Sequence, residues 1–519
     1  MGNKEKTLAR QLIEKIISGK VSSVGQLNLE KARISAKLRL SKILRNSDIL
    51  KYASAGERDK VSILVKKPVR TLSGVAIVAV MAKPSECPGK CIYCPQGENA
   101  PKSYTGKEPA ARRAKMFDYD PFVQITKRLQ QLKAVGHSID KVELIIMGGT
   151  FLSRPKSEQV LFVKRCFDAL NGSDSSTIGE AQKLNETAKS RCVGLTVETR
   201  PDYCKKEDIN TLLELGATRV ELGVQSLSDD VYRKIKRGHT IDDVVKATRF
   251  LKDSGFKVVY HMMPGLLQNQ KQDIAMFRKL FRSRSFRPDM LKIYPTLVVS
   301  GTGLYNLWKE KKYAPLQNEE ATDLVSRIKE AVPLYCRIMR VQRDIPAGEI
   351  AAGVTAGNLR ELAQEKLKAR GLKCKCIRCR EVGHSSLKST EFKNPELFVE
   401  KYDASGGQEY FISFEDKNRE LLYGYLRLRM PSNPFRKELA EKTSIVRELK
   451  VFGTSVPLGG HPAGAIQHKG IGRKLMKKAE AISGKERMKK IAVIAAVGTK
   501  EYYRALGYSD DGAYVSKGL

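Results

Sequence analysis

Between residues 71 and 345, short apolar runs rich in β-branched residues alternate with segments of helical spacing. The runs are "GVAIVAVM", "KVELIIMGG", "CVGLTVETRP", "TRVELGVQS", "FKVVYHMMPG", "MLKIYPTLV" and "CRIMRVQRDIP". Continuous apolar runs of this length suit strands buried on both faces, and the stretches between them suit crossover helices. The pattern predicts a parallel α/β barrel, complete or partial. Polar residues gather where the runs end: Gly148, Gly149 and Thr150, then Glu198 with Arg200, Gln225, His261, Tyr294 and Arg343. In a parallel barrel that rim is where chemistry sits.

The flanks read differently. Residues 1–70 carry apolar side chains at three- and four-residue steps, with 17 basic against 6 acidic residues between them. They predict a basic helical module, able to grip a phosphate backbone or simply to present solvated amphipathic helices. Residues 346–390 break the strand–helix alternation. From 391 to 519 the texture changes to antiparallel strands ("EYFISFED", "LLYGYLRLRM", "SIVRELKVFG"), then a helix and another strand, which predicts a separate α/β domain. Division of 519 residues into several domains follows from length alone.

Lys and Arg number 94 against 57 Asp and Glu, a net charge of +37 spread along the whole chain. Such an excess calls for a polyanionic partner. The longest apolar stretch, residues 75–82, is about half the ~20 residues of a membrane span, so no membrane is expected. The chain opens "MGNKEKTLAR", without an apolar signal region, and its cysteines cluster, so a reducing cytoplasm is the expected location.

Cys87, Cys91 and Cys94 form C-x3-C-x2-C directly after the first run. Structural zinc sites gather four ligands, and no fourth Cys or His stands near this triplet. Three thiolates leave one place vacant, as in a [4Fe–4S] cluster whose fourth iron is free to take S-adenosylmethionine. Cys374, Cys376 and Cys379, with His384 close behind, instead predict a closed structural zinc site that staples an irregular linker. Cys336 is the alternative fourth ligand, and a second iron–sulfur cluster is the alternative occupant. Further on, Gln467, His468, Lys469, Gly470, Ile471 and Gly472 give Q-x-x-G-x-G before a helix that opens with Arg473. Backbone N–H groups and a positive helix end there would receive a pyrophosphate.

The first triplet, in its place after the first strand, resembles the radical S-adenosylmethionine superfamily. That resemblance implies that Gly148, Gly149 and Thr150 bond the methionine end of S-adenosylmethionine, and that Glu198 and Gln225 reach its ribose or amino group. Residues 467–473, the strand "KIAVIAAVG" and "TKEYYRALGY" resemble the GNAT acetyltransferases, which implies bound acetyl-coenzyme A with Tyr502 or Tyr503 near its sulfur.

Both modules in one basic chain resemble the family of Elongator catalytic subunits. The likeness runs through "SYTGKEPAARRAKMFDYDPF", "LGVQSLSDDVYRKIKRGHT", "FRPDMLKIYPTLVVSGTGLY" and "GNLREL". It implies a basic N-terminal tRNA-binding module (1–70), a radical S-adenosylmethionine barrel (71–345), a zinc-binding linker (346–390) and a GNAT domain (391–519). It further implies formation of 5-carboxymethyluridine at the wobble uridine, U34, in the anticodon stem-loop of tRNA. A 5′-deoxyadenosyl radical from S-adenosylmethionine would take hydrogen from the methyl group of acetyl-coenzyme A. The carbon radical would add to the uridine, and thioester hydrolysis would leave carboxymethyl.

Lys292 and Tyr294, with Arg340 and Arg343, become candidates for uridine and phosphate contacts, and residues 104–120 resemble a segment that sits across the acetyl-coenzyme A site until tRNA arrives. His239 and His261 are expected to be satisfied structural histidines. The segment before the first cysteines is shorter than in eukaryotic members, which also lack the second triplet. These departures point to a stand-alone prokaryotic-type form and tell against the other Elongator subunits, while a homodimer is left open. The rival function is a protein lysine acetyltransferase that uses the C-terminal domain alone, with Glu448 as general base.

Overall fold

The computed structural model describes residues 3–54, 56–65, 74–384, 395–440, 442–452 and 470–519. The first strands are β1 (Ala76–Met81), β2 (Lys141–Met147), β3 (Arg191–Thr199), β4 (Arg219–Gln225), β5 (Lys257–Met262), β6 (Met290–Ile293), β7 (Val298–Val299), β8 (Arg337–Val341) and β9 (Ile350–Ala352). All but β7 and β9 lie side by side in chain order in one parallel sheet, with β1 and β8 at its edges. The barrel is therefore partial. β4, at its centre, is buried along its whole length, which is why the run "RVELGVQ" is not alternating.

Several helices between the strands begin at side-chain caps. Thr240 and Asp243 cap Ile241–Asp253 reciprocally, and Asn269 and Gln272 cap Gln270–Arg282. These caps fix where each loop at the strand ends must stop. The N-terminal helices Asn3–Ile17, Val24–Lys37 and Asn46–Leu50 close over a small core of their own, including Leu8, Leu12, Ile13, Leu27 and Ile49.

The C-terminal sheet contains β10 (Glu396–Ala404), β11 (Gly407–Glu415), β12 (Leu422–Met430), β13 (Thr443–Val451), β14 (Lys490–Val493), β15 (Ser509–Asp511) and β16 (Tyr514–Gly518), in the order β10-β11-β12-β13-β14-β16-β15. Only β13 and β14 are parallel, and they pair over Thr443–Val446 alone, so β13 continues to Val451 without β14 beside it. The helix Ile471–Lys485 lies between them in sequence and packs across β11, β12 and β13.

Where the two sheets meet, charge is buried. Arg427, Arg429 and Arg447 from the C-terminal sheet face Lys252, Asp253 and Asp289 from the barrel, with Glu409 among them. Arg447 bonds Asp289 (2.6 Å) and Glu409 (2.8 Å), Arg429 bonds Asp253 (2.6 Å) and Glu409 (2.9 Å), and Arg427 bonds Glu448 (2.9 Å). The register of β12 on β13 skips Arg447, a bulge that frees this side chain for the seam. Removing one partner from such a network leaves an uncompensated buried charge and costs about 3–5 kcal/mol.

The segment after β8 ties the same two bodies together. The helix Leu359–Ala369 packs on the helix Asn318–Ala331 of the barrel. Arg380 bonds Glu415 of β11 (2.8 Å), and Glu381 bonds Arg337 of β8 (2.7 Å).

Candidate active site

The strand ends of the barrel open into one cleft. Its walls carry all three cysteines of the first triplet and, from the rim expected from sequence, Gly149, Thr150, Glu198, Arg200, Gln225, His261, Tyr294 and Arg343. Gly148 stands just behind: its φ is +125°, and a Cβ there would press within 3.2 Å of the Ala82 backbone. Only glycine lets the end of β2 lie this close to β1.

The cysteine loop is pinned on both sides. The Ile92 N–H donates to the Ile235 carbonyl (3.0 Å), and the Ile92 carbonyl accepts from the Leu304 N–H (2.9 Å). Cys87 Sγ lies 3.8 Å from Thr150 Oγ1, so the triplet and the glycine turn share one corner. The Cys94 thiol, hydrogen-bonded to Cys91, pulls Cys91 down to about 5, helped by Arg237 and Arg200 against the effect of burial. Arg200 Nη1, Arg237 Nε and the Tyr93 hydroxyl are buried without partners among the described residues. Orphaned donors and cations around three thiols fit an anionic, sulfide-rich group.

Deeper in the cleft Lys292 is buried between two carboxylates, Glu198 (3.3 Å) and Glu221. Glu221 also bonds His261 Nε2 (2.6 Å). Burial opposes charge on both partners, yet Glu221 lifts the Lys292 ammonium above its ordinary range, and Lys292 with His261 holds Glu221 well below the usual carboxylate range. Ligand atoms of Glu198, Glu221 and His261 lie within 4.8 Å of one another, and the cation already among them is Lys292. Lys292 is thus a charged donor, not a base. The Tyr294 ring meets His261 edge-on at 5.5 Å. Tyr104, the first residue of the 104–120 segment, donates to Glu198 (3.1 Å) beneath the Arg343 guanidinium.

The second triplet differs in geometry. Sulfurs of Cys374, Cys376 and Cys379 lie within 4.8 Å of one another. Bonds of about 2.3 Å to one tetrahedral zinc put sulfurs roughly 3.8 Å apart, so this set fits a single ion. Thiol hydrogen bonds from Cys374 and Cys379 hold Cys376 well below its ordinary range. Cys336 is buried beside the group and accepts from the Ile377 N–H (3.0 Å), but its sulfur is not in the gathered set. His384 closes a short 3-10 turn, Val382–His384; its side chain lies outside the described residues.

At the far end of the C-terminal sheet, Gly470 caps the helix Ile471–Lys485 in the left-handed region, φ +72°. A Cβ on Gly472 would stand 2.7 Å from the Tyr502 hydroxyl and 3.8 Å from Val451. The helix start and Tyr502 therefore pack together beside the end of β13, which pairs with β12 but not with β14, and Arg473 follows in the first turn. Such a glycine-lined helix start fits a pyrophosphate. Tyr503 is buried behind Tyr502, with ring centroids 5.2 Å apart. Gln467, His468 and Lys469 lie outside the described residues.

Three findings depart from or extend the sequence reading. Neither ring nitrogen of the buried His239 has a hydrogen-bond partner among the described residues, so it is not a satisfied structural histidine. Burial and the neighbouring Arg237 hold it neutral, down to about 2. Glu221 and Arg237 escaped notice as site residues, although a glutamate in the middle of a fully buried strand is a signal. Glu448, the general base of the rival reading, is bonded to Arg427; against the effect of burial, Arg427, Lys257 and Lys450 hold it below its ordinary range, which makes it a poor base.

Family models for the radical SAM superfamily, its C-terminal domain and the ELP3 N-terminal domain match residues 84–281, 288–369 and 6–72 respectively. The chain is 48% identical to the tRNA uridine(34) acetyltransferase of Methanocaldococcus jannaschii, covering 99% of this chain and 98% of that protein. It is 45% identical to Elongator complex protein 3 of Homo sapiens, covering 98% and 96%. Among solved structures, the archaeal Methanocaldococcus infernus Elp3 with an N-terminal deletion superposes with a TM-score of 0.77 at 46% identity, covering 86% of this chain and 100% of that one.

Proposed function

The chain belongs to the family of tRNA uridine(34) acetyltransferases and Elongator complex protein 3, and on that premise we propose that it forms 5-carboxymethyluridine at the wobble position of tRNA. Its other substrates are acetyl-coenzyme A and S-adenosylmethionine, and its place is the cytoplasm. Among the described residues no helix is long and apolar enough to cross a membrane.

Cys87, Cys91 and Cys94 would hold a [4Fe–4S] cluster, which with S-adenosylmethionine supplies the radical that activates an otherwise inert methyl group. The backbone of Gly148, Gly149 and Thr150, with Glu198 and Gln225, would orient S-adenosylmethionine. Lys292, held charged by Glu221 and Glu198, would donate to a uracil carbonyl, fixing the ring and stabilising charge that develops on oxygen. Tyr294, Arg340 and Arg343 would complete the contacts to the nucleotide. Acetyl-coenzyme A would lie with its pyrophosphate on residues 467–473 and its sulfur near Tyr502, in a GNAT-type domain. Cys374, Cys376 and Cys379 would hold structural zinc, with His384 as fourth ligand.

The observation that carries this reading is the single cleft lined by the cysteine triplet, the glycine turn and Glu198 and Glu221, the two carboxylates that hold Lys292. The buried seam supports it, because a fixed seam holds the two catalytic halves of one reaction in register. Its test is an anaerobic reaction with reductant, S-adenosylmethionine, tRNA and methyl-deuterated acetyl-coenzyme A. Deuterium is expected in 5′-deoxyadenosine and carboxymethyl on the tRNA. Acetylated peptides beside untouched tRNA would favour the lysine acetyltransferase instead.

A further inference from the structure

We infer that Arg237 sets the reduction potential of the cluster on Cys87, Cys91 and Cys94 through its hydrogen bond to the Cys91 sulfur; the inference rests on the reading above that this triplet binds iron and sulfide. Arg237 Nη1 donates to Cys91 Sγ at 3.3 Å, and Nη2 donates to the Gly223 carbonyl at 2.5 Å. The side chain is buried, and Nε has no partner among the described residues.

What distinguishes Arg237 from its neighbour Arg200 is neutralisation. Arg200 is paired with Asp202 through Nε (2.9 Å) and Nη2 (2.8 Å). No carboxylate pairs with Arg237 among the described residues, so its charge is spent on the cysteine sulfur. The backbone prepares this contact. Ile235, two residues before Arg237, accepts from Ile92, next to Cys91 (3.0 Å). β4 leaves room for the guanidinium at Gly223, where a Cβ would stand 2.6 Å from Arg237 Nη2 and 2.9 Å from Gln225 Nε2.

Reduction adds negative charge to a cluster and its thiolates. Hydrogen bonds to the sulfurs and nearby positive charge favour the reduced form, so they raise the potential. Arg237 therefore acts through Cys91 as a positioning and tuning residue.

The test follows the reduced cluster by electron paramagnetic resonance against applied potential, in the anaerobically reconstituted full chain without S-adenosylmethionine. Arg237→Gln removes the charge. Gly223→Ala keeps every charge but pushes Arg237 off the sulfur. Both are expected to retain iron and sulfide and to shift the reduced-to-oxidised ratio at fixed potential about tenfold toward oxidised, about 59 mV for one electron. Arg237→Lys should fall between them and the parent. A cluster-bearing parent whose two variants keep its potential overturns the inference alone. Folded variants that take up no iron also overturn it, since Arg237 would then serve assembly. A parent without an iron–sulfur cluster overturns the reading beneath it as well.

Discussion

Cys87, Cys91 and Cys94 lie in the loop after β1 and face an open cleft among unpaired donors, whereas Cys374, Cys376 and Cys379 follow the barrel with their sulfurs gathered. In the first group Cys91 and Cys94 touch while Cys87 stands off beside Thr150. In the second Cys374 and Cys376 are buried and Cys379 is exposed, and ion pairs tie the neighbouring Arg380 and Glu381 to β11 and β8. Composition is the same in both triplets, so the surroundings make the difference. A group that must admit a ligand keeps one sulfur apart and its neighbours electrostatically unfinished; a group that must only hold the chain has its sulfurs already gathered.

The sharpest way to break that contrast is Cys91→Ser. It should abolish tRNA modification while leaving tRNA affinity within about twofold by filter binding, because phosphate contacts come from basic side chains and not from the cysteine. Equal loss of both would merge the two roles. Next in size, Lys292→Met should lower turnover by about 10²–10³, the scale of losing one charged donor to developing oxyanion character. With Lys292 held charged above its ordinary range, turnover should show no falling limb from this group through about pH 9, whereas an unshifted lysine begins to lose its proton near there. A limb that vanishes in Lys292→Met would contradict this.

Cys376→Ser should leave the cleft chemistry in place and loosen the seam. A loss of about 3 kcal/mol would lower the thermal midpoint of the C-terminal transition by about 6–12 °C. Unchanged melting with lost turnover would reverse the assignment of the two triplets. The smallest effect separates the two tyrosines: Tyr502→Phe should reduce acetyl-coenzyme A turnover about threefold without a change in melting, given a modest hydroxyl contribution of under 1 kcal/mol. Tyr503→Phe, buried behind it, should touch stability instead.

Much of the barrel and its rim was legible because buried parallel strands read as unbroken apolar runs, and the rim residues from Gly149 to Arg343 line one cleft. The seam was not. "YLRLRM" alternates like a half-exposed strand, yet Arg427 and Arg429 are fully buried, because their partners Asp253 and Asp289 come from a distant part of the chain. Sequence periodicity reports that one face is polar, not what covers it. For the same reason some of the 94 basic side chains answer to carboxylates inside the molecule rather than to nucleic acid, and the net +37 is what remains after all 57 acidic groups are counted. Glu221 and Arg237 share that cause, since each takes its meaning from residues that only folding brings near.

The central claim is that one triplet carries an open iron–sulfur cluster and the other a closed zinc ion. Anaerobic purification followed by iron, acid-labile sulfide and zinc analysis tests it most directly. The account predicts about four iron, four sulfide and one zinc per chain. Zinc in both triplets, or iron without sulfide, would contradict it.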